Sequence, residues 1–259
     1  MPPLSMSSVA SALRSAGCVF AEDEAELILA TARTPDEAAA MLDRRVAGLP
    51  LELVLGWAGF RGLRITVEPG VFVPRRRTEF LVEQALAAAP AASVVVDLCC
   101  GSGAVGAALA ASLDHAELHA ADMDPAAARC ARRNVGPLGG HVHVGDLFAA
   151  LPDTLLGRVD ILAANVPYVP TGEVPLLPSE ARDHEPLVAL DGGADGLDVL
   201  RRVAAGAPSW LAPGGRLLIE TSERQAPLAV ETFRRSGLST RLAVSDEWDA
   251  HVVIGTNTS

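Results

Sequence analysis

From residue 78 onward the chain alternates short β-branched or apolar runs with helical stretches, and this alternation restricts the fold more than any other feature. Strand-like runs fall at 93–98, 117–121, 141–144, 159–163 and 215–220, and runs at 242–244 and 251–254 follow. Helical patterns fall between them at 104–112, 125–134, 196–207 and 224–236, the second opened by Pro125 in its first turn. Alternation of this kind predicts an α/β fold, a parallel sheet covered by helices on both faces. Ligands of such sheets sit at the carboxyl ends of the strands, near the switch in strand order.

The first part of the chain reads differently. Residues 7–56 carry short helical patterns. Thr34, Pro35, Asp36 and Glu37 form a helix start: a capping hydroxyl, a first-turn proline, then acids that complement the helix dipole. A further short helix is expected to end at Gly56. Residues 63–67 and 71–73 read as a hairpin-like pair around Pro69 and Gly70. Three segments are therefore expected: a helical domain at 1–58, a hairpin-like linker at 59–77, and the α/β domain at 78–259. The first is too small to bury a large core alone and reads as a lid or docking module. Residues 167–196 form a long Pro- and Gly-rich stretch without periodicity, and long loops inside compact domains usually carry function.

Charge narrows the partners. Acids outnumber bases 32 to 21, and the net charge of -11 argues against affinity that rests on phosphate neutralisation. The run Arg75-Arg76-Arg77 reads either as a solvated stripe or as a local contact for nucleic acid. No apolar run approaches the ~20 residues of a membrane span. Met1–Ala10 lacks a basic start followed by an apolar core, so no secretory signal is expected. Cys18, Cys99, Cys100 and Cys130 show no C-x-x-C spacing and suit a reduced, cytoplasmic chain. His141 and His143 share one strand face, but nothing near them in sequence completes a metal site, and no metal is expected.

The chemistry-bearing residues fall at the ends of the predicted strands. Asp97-Leu98-Cys99-Cys100-Gly101-Ser102-Gly103 follows the first, and Gly101, Gly103 and Gly106 satisfy G-x-G-x-x-G, a dinucleotide pattern when taken alone. Asp97 redirects that reading. A carboxylate there repels a pyrophosphate and suits a ligand with a cationic end, such as the ammonium of S-adenosylmethionine. Asp122, before Met123, ends the second strand and can accept from both ribose hydroxyls, while Asp124, just before Pro125, is the better helix cap. Asp146 after the third strand can accept from an adenine amino group, with Leu147 over the ring; a loop Asp bonding its own backbone is the blander alternative. After the fourth strand comes Asn165-Val166-Pro167-Tyr168, which holds the single tyrosine of the chain. The Asn165 side-chain oxygen and the Val166 carbonyl can together accept both hydrogens of an –NH₂ group. Pro167 keeps Val166 out of the helical region, and Tyr168 offers a ring face to a planar amide or base.

Together these residues resemble the protein-glutamine methyltransferases that modify peptide chain release factors, class I enzymes with an N-P-P-Y motif. The resemblance extends to Pro50–Gly56, Phe72-Val73-Pro74-Arg75, Thr78-Glu79, Glu185–Leu190 and Gly192–Leu197. It implies a Rossmann-like, mostly parallel seven-stranded sheet with a small N-terminal helical domain. It also implies S-adenosylmethionine as cofactor and methyl transfer to a glutamine side-chain amide of a protein, a release factor foremost. Asn165, Val166, Pro167 and Tyr168 are the expected catalytic residues. Asp97, Cys99, Cys100, Gly101, Ser102 and Gly103 are the expected cofactor contacts on the first loop. Asp122, Met123, Asp146, Leu147 and Asn165 are those further along. Three positions depart from the pattern: Cys99 for a glycine, Arg76-Arg77 for a proline and an acid, and Val166 for the first proline. Cofactor binding is expected to survive the first, and the other two bear on the acceptor more than on the reaction. Valine adds backbone freedom, so looser positioning of the acceptor is expected. The competing readings are an amino methyltransferase of nucleic acid or of a small amide, a nicotinamide-dependent oxidoreductase, and a cofactor-binding protein without catalysis.

Overall fold

The computed structural model describes residues 4–89 and 93–259; the first three residues of the expected helical segment and of the leader reading lie outside them. The chain opens with α1 (Met6–Ser15), α2 (Ala21–Thr31), α3 (Pro35–Val46) and α4 (Leu51–Leu55). Their apolar faces bury Val9, Leu13, Ile28, Met41 and Val54 in one small core. The Thr34 hydroxyl accepts the Glu37 N–H and caps α3, and Gly56, at φ 79°, ends α4 in the left-handed region that favours glycine.

The hairpin differs from the sequence expectation. It pairs β1 (Trp57–Phe60) with β2 (Leu63–Thr66), and residues 71–73 form no strand. Arg61 and Gly62 both carry positive φ, the geometry of a two-residue hairpin turn, and this fixes the register. Pro69 and Gly70 instead make a tight turn in which the Val71 N–H donates to the Glu68 carbonyl.

The remaining elements are α5 (Glu79–Leu86), β3 (Val94–Leu98), α6 (Ala104–Ser112), β4 (Glu117–Asp122), α7 (Pro125–Val135), β5 (His141–Val144), β6 (Val159–Ala164), α8 (Ser179–His184), α9 (Asp198–Trp210), β7 (Leu211–Thr221), α10 (Ala226–Arg235), β8 (Ser239–Ser245) and β9 (Ala250–Thr256). Among the described residues they build a seven-stranded sheet in the order β5-β4-β3-β6-β7-β9-β8, parallel except for β9, which runs antiparallel to β7 and β8. The chain steps outward from β3 to β5, then returns to lay β6 against β3, so the strand order switches between those two.

Alternation along the central strands sorts the core into two layers. Val96, Leu98, Leu162, Ala164, Leu217 and Ile219 face α9 and α10. Val95, Ile161, Ala163 and Leu218 face α5 and α6. Each fully buried Leu, Ile or Val there contributes roughly 2 kcal/mol. The alternation also sets the chemistry. Asp97 follows Val95 on its face, and Glu220 follows Leu218, so both carboxylates enter the layer under α5 and α6.

Candidate active site

A cleft of about 1100 Å³ opens over the carboxyl ends of β3, β4 and β6, and every residue expected to catalyse or to touch the cofactor except Gly103 lines it. Its cofactor half is made of short local segments. Asp97 is buried, and its Oδ2 accepts the Gly106 N–H at 2.8 Å. A side chain at Gly106 would bring a Cβ to 3.0 Å from that oxygen, so the third glycine of the pattern serves helix–strand packing. Burial pushes the Asp97 carboxyl up to about 7, against the lowering effect of the Gly106 bond, and the neighbouring Asp122 raises it further. Asp122 accepts from the Gly101 N–H at 2.8 Å and from the Asp124 N–H at 2.9 Å. It is raised by burial too, while those bonds hold its carboxylate in place. Asp124 accepts the Ala126 N–H at 2.8 Å and caps α7, the role read for it.

The loop between β3 and α6 turns through three left-handed residues, Cys99, Gly101 and Gly103, at φ 55°, 55° and 78°. A glycine is the natural occupant at Cys99, so the cysteine there is a strained substitution that keeps the turn. Burial pushes the thiols of Cys99 and Cys100 well above their usual range, leaving them protonated. Gly103 lies behind the cleft, where a Cβ would sit 3.1 Å from Ala131 and Val135. Met123 is exposed at the rim, Ser102 is buried, and Leu147 is buried beneath the turn that Asp146 starts. Asp146 is already engaged: Arg202 on α9 holds its Oδ2 at 2.6 Å.

The acceptor half is held from a distance in sequence. Asn165 stands one residue beyond Ala164, whose strand pairs in register with β3, so it lies beside the Cys99 turn. Its Nδ2 donates to the Thr78 hydroxyl at 3.4 Å. Val166 and Pro167 are buried. The Tyr168 hydroxyl accepts from Arg77, whose guanidinium also lies 5.7 Å from the ring centre. Burial pushes the Tyr168 phenol up to about 12, with the Glu220 charge acting the same way. The Tyr168 carbonyl accepts from the Gln225 side chain at 2.9 Å. Residues 192–196 press against the same backbone: a Cβ at Gly192 would meet the Pro167 carbonyl at 2.6 Å, and one at Gly196 the Tyr168 carbonyl at 2.2 Å. The Asn165–Tyr168 loop is thus gripped at both ends although Val166 replaces a proline.

The arginine run is neither a uniform solvated stripe nor a free basic patch. Arg75 binds the buried Glu185 at 2.6 Å, which also accepts the Val73 N–H at 3.1 Å. Arg77 binds the buried Glu220 at 3.1 Å, and Arg76 lies over Trp248 at 5.8 Å. Glu220 and Gln225 were not singled out from sequence. An acid closing the apolar run Leu217-Leu218-Ile219 was the available signal for Glu220, whereas nothing local marked Gln225. Among the described residues, no helix is long and apolar enough to cross a membrane, and no group of His, Cys, Asp and Glu is arranged to hold a metal ion.

The donor set can be tested against a ligand. The cofactor half offers Asp97, Asp122 and Asp146 as acceptors, and its nearest base, Arg202, is consumed by Asp146. That arrangement fits a ligand with hydroxyls, an amino group and a positive charge, and it opposes a pyrophosphate. Gly101 leaves room for close approach, since a Cβ there would meet only Phe72, at 3.9 Å.

The chain is similar to known methyltransferases in sequence and in fold. Residues 62–174 match the family model described as Methyltransferase small domain. A release factor glutamine methyltransferase of Geobacter sulfurreducens is 39% identical over 226 residues, 85% of this chain and 78% of that protein. A 4-amino-L-phenylalanine/4-methylamino-L-phenylalanine methyltransferase of Streptomyces pristinaespiralis is 38% identical over 75% of this chain and 68% of that protein. The crystal structure of a methyltransferase from Pyrococcus furiosus superposes with a TM-score of 0.57 at 17% identity, covering 77% of this chain and 91% of that one, which shows the shared fold.

Proposed function

The chain belongs to the family of release factor glutamine methyltransferases, and from that premise we propose that it transfers a methyl group from S-adenosylmethionine to the side-chain amide of a glutamine in a peptide chain release factor. The observation that carries this reading is the Asn165–Tyr168 loop, set at the strand-order switch beside a carboxylate-lined cofactor half. Asp122, fixed by two backbone N–H groups, keeps lone pairs for the ribose hydroxyls. Asp97 faces the cationic end, and Asp146 with Leu147 frames the adenine. Cys99, Cys100, Ser102 and Met123 complete the walls, and Gly101 and Gly103 supply the turn.

When bound, the cofactor would supply an electrophilic methyl on a cationic sulfur that departs as a neutral thioether with the electron pair of the broken carbon–sulfur bond, and the nitrogen that gains the methyl would carry positive charge until it gives up a proton to solvent as the product leaves. An amide nitrogen is a poor nucleophile because its lone pair is delocalised, so orientation carries the catalysis. Asn165 gives its Nδ2 to Thr78, which turns Oδ1 to the acceptor –NH₂. The Val166 carbonyl, kept out of the helical region by Pro167, takes the second hydrogen. Both acceptors strengthen as the nitrogen becomes positive. The Tyr168 ring supports the planar amide, and burial of the surrounding groups keeps the site dry.

Transfer of labelled methyl to purified, unmethylated release factor tests the reading, with the expected mark on the glutamine of its Gly-Gly-Gln loop. A release factor substrate also makes the cytoplasm the site of action. Asn165→Ala is expected to lower turnover by two orders of magnitude with little change in cofactor affinity; unchanged turnover would reject its role. One observation favours a second reading, a small amine acceptor: the relative that acts on 4-amino-L-phenylalanine is nearly as similar as the first. Label on that amino acid and none on release factor would select it.

A further inference from the structure

The two ends of the acceptor loop are held by two consecutive residues that lie about ninety positions earlier in the chain. Thr78 takes the Asn165 amide N–H at 3.4 Å, across 87 residues. Arg77 gives its Nη2 to the Tyr168 hydroxyl, across 91 residues. Both belong to one turn of 3-10 helix that leads into α5, closed by the Thr78 N–H on the Arg75 carbonyl at 3.0 Å. The turn is itself anchored on both sides. Arg77 Nε binds Glu220 at the end of β7, and Arg75 binds Glu185 in the long loop after β6. Thr78 is 2% exposed and the Glu220 side chain 3% exposed, so neither is a solvated partner that water could replace.

We propose that Arg77 and Thr78 are positioning residues for acceptor selection: Thr78 fixes which edge of the Asn165 amide faces the cleft, and Arg77, anchored on Glu220, holds the Tyr168 ring. The proposal rests on the reading that Asn165 receives the acceptor –NH₂. An asparagine amide can present an oxygen or an –NH₂ by turning over, and only the oxygen accepts a hydrogen from an incoming –NH₂. A threonine hydroxyl can donate as well as accept, but the Thr78 hydrogen is drawn to the buried Glu220 carboxylate, which leaves its oxygen to receive Nδ2. Arginine at position 77 stands where the family pattern has an acid, so this clamp accompanies the other departure, Val166. Valine leaves the loop backbone freer than proline, and a charge-assisted bond at Tyr168 restores the lost constraint. Because Glu220 neutralises Arg77, the clamp adds no net charge beside the acceptor, which suits an uncharged amide or amine.

The experiment uses the whole enzyme and two readouts. Thr78→Val is expected to lower kcat about tenfold with the S-adenosylmethionine dissociation constant within twofold of the parent, and Thr78→Ser to recover most of the loss. The chain holds a single tyrosine, so tyrosine labelled with ¹³C at the ring carbon bearing oxygen gives one resonance, that of Tyr168. Arg77→Met is expected to shift that resonance and to raise the acceptor KM several-fold; Thr78→Val is expected to leave the resonance in place. An unmoved resonance in Arg77→Met would overturn the clamp. Full kcat in Thr78→Val, in an enzyme that Asn165→Ala disables, would overturn the Thr78 role while leaving the functional reading intact. Full activity in Asn165→Ala would overturn the functional reading, and this proposal with it.

Discussion

The two halves of the cleft are built on opposite plans. In the cofactor half, the bonds that fix the side chains come mostly from backbone N–H groups of the neighbouring turns, with Asp146, held by Arg202 across 56 residues, set apart. Asp97 is held by Gly106, Asp122 by Gly101 and Asp124, and Asp124 by Ala126. In the acceptor half, each is fixed by side chains from remote segments: Thr78 on Asn165, Arg77 on Tyr168, Gln225 on the Tyr168 carbonyl. Glycine-imposed geometry secures the first half. Side-chain bonds from other segments secure the second, that of Arg77 to Tyr168 being charge-assisted, and these can be altered without disturbing the turn between β3 and α6.

The largest separation of the halves is expected from Gly196→Ala. The residue sits at φ 76°, and its new Cβ would stand 2.2 Å from the Tyr168 carbonyl and 2.3 Å from the Gln225 amide nitrogen. Strain and overlap together are expected to cost about 3 kcal/mol and to lower the melting temperature by several degrees. Turnover should collapse while calorimetry finds cofactor affinity within threefold of the parent; equal losses in both would erase the distinction. Asp122→Ala is the reciprocal test. It removes the acceptor for two backbone N–H groups and the proposed ribose contact, and is expected to weaken cofactor binding about thirtyfold while acceptor KM moves little.

A smaller effect follows from Asp97. Burial favours its neutral form, with the folded value pushed up to about 7. In the free protein that preference stabilises the fold at low pH, and the contribution is lost as pH rises from the ordinary carboxylate range through about 7. A cationic ligand favours the carboxylate. Cofactor binding below that value therefore releases a proton, and affinity falls as pH drops, approaching tenfold per unit. Calorimetry in buffers of different ionisation enthalpy measures the released proton, and Asp97→Asn should flatten the slope. The smallest effect is expected at Arg76, whose exposed guanidinium only faces Trp248. Arg76→Ala should change stability by under ~1 kcal/mol and leave both halves unaltered, in contrast to its neighbour Arg77.

The same division decided what could be read from sequence. Asp97, Gly101, Asp122 and the Asp124 cap are legible because their partners lie within a few residues or follow from strand–turn–helix geometry. Most helix and strand positions were recovered for the same reason, with the ends of β7, β8 and α9 shifted by a few residues, whereas α5 and the short α8 inside the expected long loop were not read from sequence. The hairpin was misplaced because Pro69-Gly70 is the more conspicuous turn signal, while Arg61-Gly62 needs a non-glycine at positive φ. The acceptor loop was visible as a motif, but its supports were not. Glu220 reads as a strand end, Arg77 as part of a surface run, and Gln225 as a helix start, until the fold brings them together.

That reach through the chain has a consequence for how the enzyme comes into being. Val73 and Glu185 are 112 residues apart, and Arg77 and Glu220 are 143 apart. Contacts of such separation form late, because the entropy of closing a long loop is lost before the bond is gained. During synthesis, the arginine run leaves the ribosome roughly ten seconds before its carboxylate partners. Over that interval three neighbouring guanidinium groups stand unpaired on a nascent chain, beside the polyanion that makes it. The bonds that hold Asp97 and Asp122 span only 9 and 21 residues, so these two carboxylates are in place before the supports of the Asn165–Tyr168 loop can form.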